Sequence, residues 1–279
     1  MQSVGEPAKA AQKKQTPGSC TAQGGRGGPG DYTSSVAQGS VPINPRFVAA
    51  LRRAISTDRF APYLRMAGQD DELACRLYLW DADIGVAVLR DIAIVEIALR
   101  NALARQLESV LGSEWFNDPA MGRDQRLVSA RERAIHELTV SGKAVTSGRM
   151  TAQLSLGFWV NLLSSSSDPL WRASLFKAFP GGKQMASQTG QRYGRFWVHS
   201  QAQIVQVMRN RCAHHEPLLN GFPLPGQQKR MSAADGVAVA MRLARALDRD
   251  LADWLQQSST TGTILGARPQ PIQTAGGQP

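Results

Sequence analysis

The segment IGVAVLRDIAIVEIALRNALARQLESVL, residues 84–111, constrains the fold more than any other. Its apolar side chains lie almost all the way round a helix, so it must form a central helix covered by others. Arg90, Asp91, Glu96 and Arg100 interrupt it, which argues against a membrane span. Gly112 follows at the expected stop. Helical spacing also dominates elsewhere, and strand alternation is almost absent. NPRFVAALRRAIS opens with Asn44 as N-cap and Pro45 at the first helical position. DDELACRLYLWDAD places Leu73, Leu77 and Trp80 on one face of a separate helix before the central one. GRDQRLVSARERAIHELTVSG is amphipathic, with Leu127, Ala134 and Leu138 facing inward. TAQLSLGFWVNLL and DPLWRASLFKAFP read as short helices. QRYGRFWVHSQAQIVQVMRNRCAHHE reads as one helix stopped by Pro217, and AADGVAVAMRLARALDRDLADWLQ as a last one, with Val239, Leu243, Leu247, Leu251 and Trp254 on a stripe. The fold class is an all-α bundle.

The two ends differ in kind. Residues 1–44 carry almost no large apolar side chains and read as disordered, and 258–279 read the same way. That leaves 45–257 as one domain with a sizeable core. The formal net charge is +10, of which the two ends hold three charges, leaving about +7 on the domain. Such a charge favours polyanionic partners without separating RNA from DNA or an acidic membrane. Cys20, Cys75 and Cys212 are odd in number and widely spaced, which disfavours a disulfide framework or structural zinc. No apolar run at the start resembles a signal peptide, and the expected setting is cytoplasmic.

MRNRCAHHEPLLN, residues 208–220, concentrates the chemistry. With 208–216 on a helix, Asn210 and His214 are i, i+4 neighbours, so the amide is expected to hold the imidazole. Arg209 and His214 diverge by about 140°, so a joint site needs helix bending or a second chain. Imidazole is the side chain that ordinarily titrates near neutral pH, which suits proton transfer. Arginine beside it suits a phosphate that gains charge. Together they fit cleavage of an RNA phosphodiester without a metal. No glycine-rich phosphate loop, carboxylate cluster or G-x-S-x-G competes. A zinc site from His214 and His215 is poor, because adjacent helical side chains point about 100° apart. The pattern Arg-x4-His also fits a solvated helix end.

RNRCAHHEPLL resembles the signature of the Abi-like family of bacterial abortive-infection proteins, within the HEPN superfamily. APYL with LYLWDADI at 61–84, VEIALRNALARQL at 95–107, LSLGFWVNLL at 154–163 and LWRASLFKAFP at 170–180 resemble the same family, in the same order. The resemblance implies a HEPN-like helical bundle with additional helices, in which motif helices of a homodimer meet at an RNA-cleaving site. Arg209 and His214 then take the arginine and histidine of the motif, and Asn210 the polar position after the arginine. Cys212 stands where an aliphatic residue is usual. The implied activity is a metal-independent endoribonuclease, with no cofactor, leaving 2′,3′-cyclic phosphate or 3′-phosphate ends. Its implied role is a toxin-like effector in anti-phage defence, with RNA, tRNA included, as substrate; an antitoxin partner stays open.

Other candidates carry two readings each. Glu96 and Arg100 are spaced to satisfy each other; alternatively Glu96 or Asn101 reaches the motif helix and orients Arg209 or His214. His215 offers Arg-x5-His, but only His214 stands i+4 from Asn210. Arg211 either binds phosphate or is solvated. Phe158, Trp159, Tyr193, Phe196 and Trp197 could stack bases, though their apolar neighbours favour core packing. His136 and His199 read as ordinary helix residues. Against catalysis stands a non-catalytic helical module that binds RNA or a protein.

Overall fold

Asn44 accepts a hydrogen bond from the Phe47 N–H at 2.9 Å and so caps α1 (Pro45–Ile55). The computed structural model describes residues 43–271. A short α2 (Thr57–Met66) buries Phe60 and Tyr63. Asp70 then accepts from the Leu73 N–H at 3.0 Å and opens α3 (Asp71–Leu111), a helix of 41 residues. At 1.5 Å per residue it is roughly 60 Å long. The two helices expected over 71–111 are therefore one. No proline interrupts the run, Asp81 and Asp83 are not used as caps, and a single Gly85 costs a helix only about 1 kcal/mol. The helix ends at Gly112, whose φ of 81° is costly for any residue with a Cβ.

Side chains such as Leu77, Ile84, Ile92, Leu99, Leu103 and Leu107 line α3 and are buried. After it come α4 (Gln125–Val140), α5 (Ser147–Gln153), α6 (Leu156–Asn161), α7 (Asp168–Ala173), α8 (Gly182–Gln188), α9 (Arg195–Ala213) and α10 (Ala233–Leu247), of which α5, α6, α9 and α10 pack on α3, as α2 does. On α4, Leu127, Ala134 and Leu138 face inward as expected. Trp115, Phe116, Phe158 and Trp159 form an aromatic cluster beside α6, so the last two are core residues. α8 lacks a long apolar stripe and is not evident from the sequence. It packs on α10 where a Cβ at Gly181 would lie 2.4 Å from the Arg245 carbonyl oxygen, so only glycine permits the approach. α9 lies against α3, α6 and α10, which places the motif at the end of a well-packed helix. Among the described residues the fold is all-α, with one isolated β-bridge between Phe222 and Met231. No helix among these residues is long and apolar enough to cross a membrane.

The last helix expected from the sequence is two. Asp248 takes extended backbone and caps α11 (Arg249–Ser258) by accepting from the Leu251 N–H at 2.9 Å. This break shifts the helical phase, so Trp254 is half exposed instead of completing the stripe. The chain expected to be disordered from 258 onward is ordered through α12 (Thr261–Gly266). Thr261 Oγ1 donates to Asp91 at 2.8 Å, Ser259 Oγ donates to the same carboxylate, and Trp80 Nε1 donates to the Ile264 carbonyl at 2.7 Å. Asp91 is buried and needs such partners. The domain thus extends beyond 257, by polar docking that a hydrophobic pattern does not reveal. The expectation of disorder at 1–42 and 272–279 lies outside the described residues.

Candidate functional site

The motif straddles a helix end. α9 stops at Ala213, and His214 is its C-cap with φ −94° and ψ 10°. His215 has φ 55°, in the left-handed region where a C′ glycine is usual. Its N–H donates to the Cys212 carbonyl at 3.1 Å, and the Glu216 N–H donates to the Arg211 carbonyl at 2.8 Å. These two bonds make a Schellman motif, which ends the helix before Pro217 does. A helix over 208–216 therefore holds only to Ala213. The expected amide–imidazole bond between Asn210 and His214 is not formed; their link is the backbone bond from the His214 N–H to the Asn210 carbonyl at 2.9 Å. Asn210 Oδ1 instead accepts from Arg209 Nη1 at 3.3 Å.

One side of this turn is built into the protein. Asp81 of α3 is buried and accepts from the Leu218 N–H at 3.1 and 3.2 Å and from Tyr63 Oη at 2.6 Å. Burial pushes the Asp81 carboxyl above its ordinary range, although the Tyr63 and backbone hydrogen bonds oppose it. Burial, then the Asp81 charge, likewise push the Tyr63 hydroxyl up. The same two causes push the Cys212 thiol up to about 12, which leaves a packed, unreactive sulfur. Arg211 pairs with Glu216 at 2.9 Å and donates to the Pro217 carbonyl at 3.1 Å, so it braces the turn. From α2, Arg59 donates to the carbonyls of both His214 and His215. The sequence reading missed Arg59, Tyr63 and Asp81. A carboxylate within LYLWDADI was the available signal, since a buried acid needs partners.

The other side is presented to solvent. Asn210, His214 and His215 are exposed, and the Arg209 side chain is 40 % exposed. Arg209 Nε lies 3.6 Å from Glu96 Oε2, and Glu96 Oε1 lies 3.7 Å from Arg100 Nη2. Glu96 therefore lies within reach of both Arg100 and the motif arginine. Arg100 also donates to the Ala152 carbonyl at 3.3 Å. Asn101 is exposed and lines a depression with Arg100 and Arg105; it makes no hydrogen bond to α9 among the described residues. No hydrogen bond joins Arg209 to either motif histidine among these residues.

The remaining candidates fall outside this cluster. Trp197 is core, Tyr193 donates to the Phe176 carbonyl at 3.1 Å, and Phe196 is exposed. His136 is exposed on α4, while burial and then Arg195 hold the His199 imidazole below its ordinary range. Cys75 and Cys212 are free, buried thiols. Among the described residues no group of three or more His, Cys, Asp or Glu side chains is placed to hold a metal.

An all-α domain thus carries a rigid helix-end turn with an arginine and two histidines on its open side. A family model described as Abi-like protein matches residues 50–220, and the chain belongs to that family. Comparison with curated proteins and with solved structures finds no match.

Proposed function

We propose that this protein is a homodimeric, metal-independent endoribonuclease of HEPN type, a growth-arresting effector of bacterial abortive infection acting on RNA in the cytoplasm. The observation that carries the reading is the open side of the turn. Arg209 and His214 stand exposed on a backbone fixed from behind by Asp81, Arg211 and Arg59. Membership of the Abi-like family supports the same direction.

In the proposed reaction the substrate's 2′-oxygen attacks the adjacent phosphorus as its proton leaves. The 2′-O–P bond forms, the P–O5′ bond breaks, and the 5′-oxygen takes a proton. His214 serves one of these two proton transfers. Arg209 stabilises the charge on the phosphate, held by Glu96 and Asn210 before substrate arrives. A second copy supplies the other half of the site in this reading. An exposed stripe on α3 with Val86, Ala93 and Ile97 runs beside Glu96 and supports such pairing. The non-catalytic reading draws on one observation: Glu96 partly neutralises Arg209.

The test uses total bacterial RNA, tRNA included, with EDTA, incubated with wild type and with the Arg209→Ala/His214→Ala variant. The expected result is cleavage by wild type alone, leaving 2′,3′-cyclic phosphate or 3′-phosphate ends. Products with 3′-hydroxyl ends, or RNA retained without cleavage by either protein, would establish another function.

A further inference from the structure

Beside His215 lies a cavity of about 490 Å³, bounded by the end of α1, by α2 and α3, and by the turn. That volume falls within the range of small-molecule sites, roughly 300–1,000 Å³. Ala82, Gly85 and Leu89 supply an apolar wall. Tyr78 stands half-buried beside them, its ring edge-on to Tyr63 with centroids 5.3 Å apart. Arg59, His215 and Glu216 form a polar rim. Only one nitrogen of Arg59 is engaged, on the turn carbonyls; its other N–H groups, and the Tyr78 hydroxyl, make no hydrogen bond among the described residues. The rim therefore offers donors from Arg59 and an acceptor from Glu216, whose carboxylate meets Arg211 through Oε2.

His215 connects this cavity to the motif. Its φ of 55° is a conformation that glycine would adopt without cost, and a histidine there is a strained choice. Left-handed backbone at this position brings the imidazole to the cavity rim, while His214, one residue earlier, does not line it. The two adjacent histidines thus have different surroundings.

We propose that the cavity is a nucleobase subsite, taking an unpaired RNA base that flanks the scissile phosphate, with His215 as a positioning residue. This rests on the endoribonuclease reading for its substrate. A base has flat apolar faces and an edge of hydrogen-bond donors and acceptors. The wall of Gly85 and Leu89, with Tyr78 and His215 as aromatic partners, accepts the faces, and Arg59 and Glu216 meet the edge. Sequence-selective RNA recognition uses splayed-out bases in this way. The subsite also explains why the turn tolerates histidine where glycine would be easier.

Two substitutions test this without threatening the fold. A Cβ at Gly85 meets nothing within 4 Å, so Gly85→Leu fills the cavity and gives α3 a better helix former. His215→Gly relieves the left-handed backbone and removes the imidazole. Full-length wild type and both variants are titrated with the four nucleoside 3′-monophosphates by equilibrium dialysis, and their cut sites on one structured RNA are mapped. Wild type is expected to prefer some bases over others. Each variant should bind at least about tenfold more weakly, as loss of base stacking implies, with a melting temperature unchanged or slightly raised and relaxed cut-site choice. Equal nucleotide affinity in wild type and Gly85→Leu overturns the proposal, as does wild type that cleaves RNA but binds no monophosphate. A Gly85→Leu protein that becomes monomeric with wild-type nucleotide affinity identifies the cavity as a subunit contact and also overturns it. Base-selective binding lost in Gly85→Leu, in a protein that never cleaves RNA, supports the subsite while removing the nuclease reading.

Discussion

The end of α9 and the turn after it, residues 209–218, have two unlike sides. Arg211, Cys212 and Leu218 face inward, where Asp81, Glu216 and the core occupy them. Arg209, Asn210, His214 and His215 face outward, and their side-chain contacts are Glu96, a neighbour in sequence, or none among the described residues. A merely solvated helix end would need no buried carboxylate reaching it from a residue 137 positions away. The difference teaches that position is specified here: the inner side fixes the backbone so that the outer side can present chemistry.

Breaking the inner side should have the largest effect on stability. Asp81→Ala leaves the Leu218 N–H and the Tyr63 hydroxyl without their acceptor, at an expected cost of about 3–5 kcal/mol in urea denaturation. Breaking the outer side should do the reverse. Arg209→Ala or His214→Ala is expected to shift unfolding by less than about 1 kcal/mol, since the groups are exposed. RNA cleavage should nevertheless fall about 10²–10³-fold, as for loss of one transition-state donor. A large melting shift in either variant would erase the distinction between the sides.

Two carboxylates sharpen the comparison through opposite pH responses. Asp81, raised by burial, contributes stability that is fully present below the ordinary carboxyl range and is lost as pH rises through its raised value. The advantage of wild type over Asp81→Asn should therefore be greatest in acid and shrink toward neutral pH. Asp124, which caps α4, is lowered to about 2, chiefly by the Arg126 hydrogen bond. Its contribution is present above the ordinary carboxyl range and is lost as pH falls toward about 2. Asp124→Asn keeps a capping oxygen but loses the charge paired with Arg126, so it should cost about 1 kcal/mol at neutral pH and almost nothing near the acid limit. Denaturation curves across pH check both signs. The smallest effect belongs to His215→Gly, expected to be neutral or to stabilise by less than about 1 kcal/mol in the same assay.

Much of the fold was legible because it follows from apolar spacing. The central helix, the inward face of α4 and the Asn44 cap all come from local patterns. What was not legible depended on polar contacts between distant segments. The break at Asp248 inserts an ordinary cap into a periodic run, and α12 is tied to α3 through Asp91 and Trp80 as well as by its few apolar residues. At the site, Arg209, Asn210 and His214 were readable as a cluster, and so was a link from Glu96. The end of α9 was not, because it turns on a histidine in left-handed backbone and the usual sign of such a turn is glycine. Arg59 and Asp81 were missed because only folding brings them to the turn.

In the proposed enzyme the outward side of the turn forms a catalytic site shared by two copies of the chain. The decisive experiment mixes separately purified Arg209→Ala and His214→Ala proteins and allows subunit exchange. If arginine and histidine come from different copies, half of all dimers are mixed and each of these holds one intact site of two, so RNA cleavage should return to roughly a quarter of the wild-type rate. A mixture as inactive as either parent, alongside active wild type, would contradict the shared site.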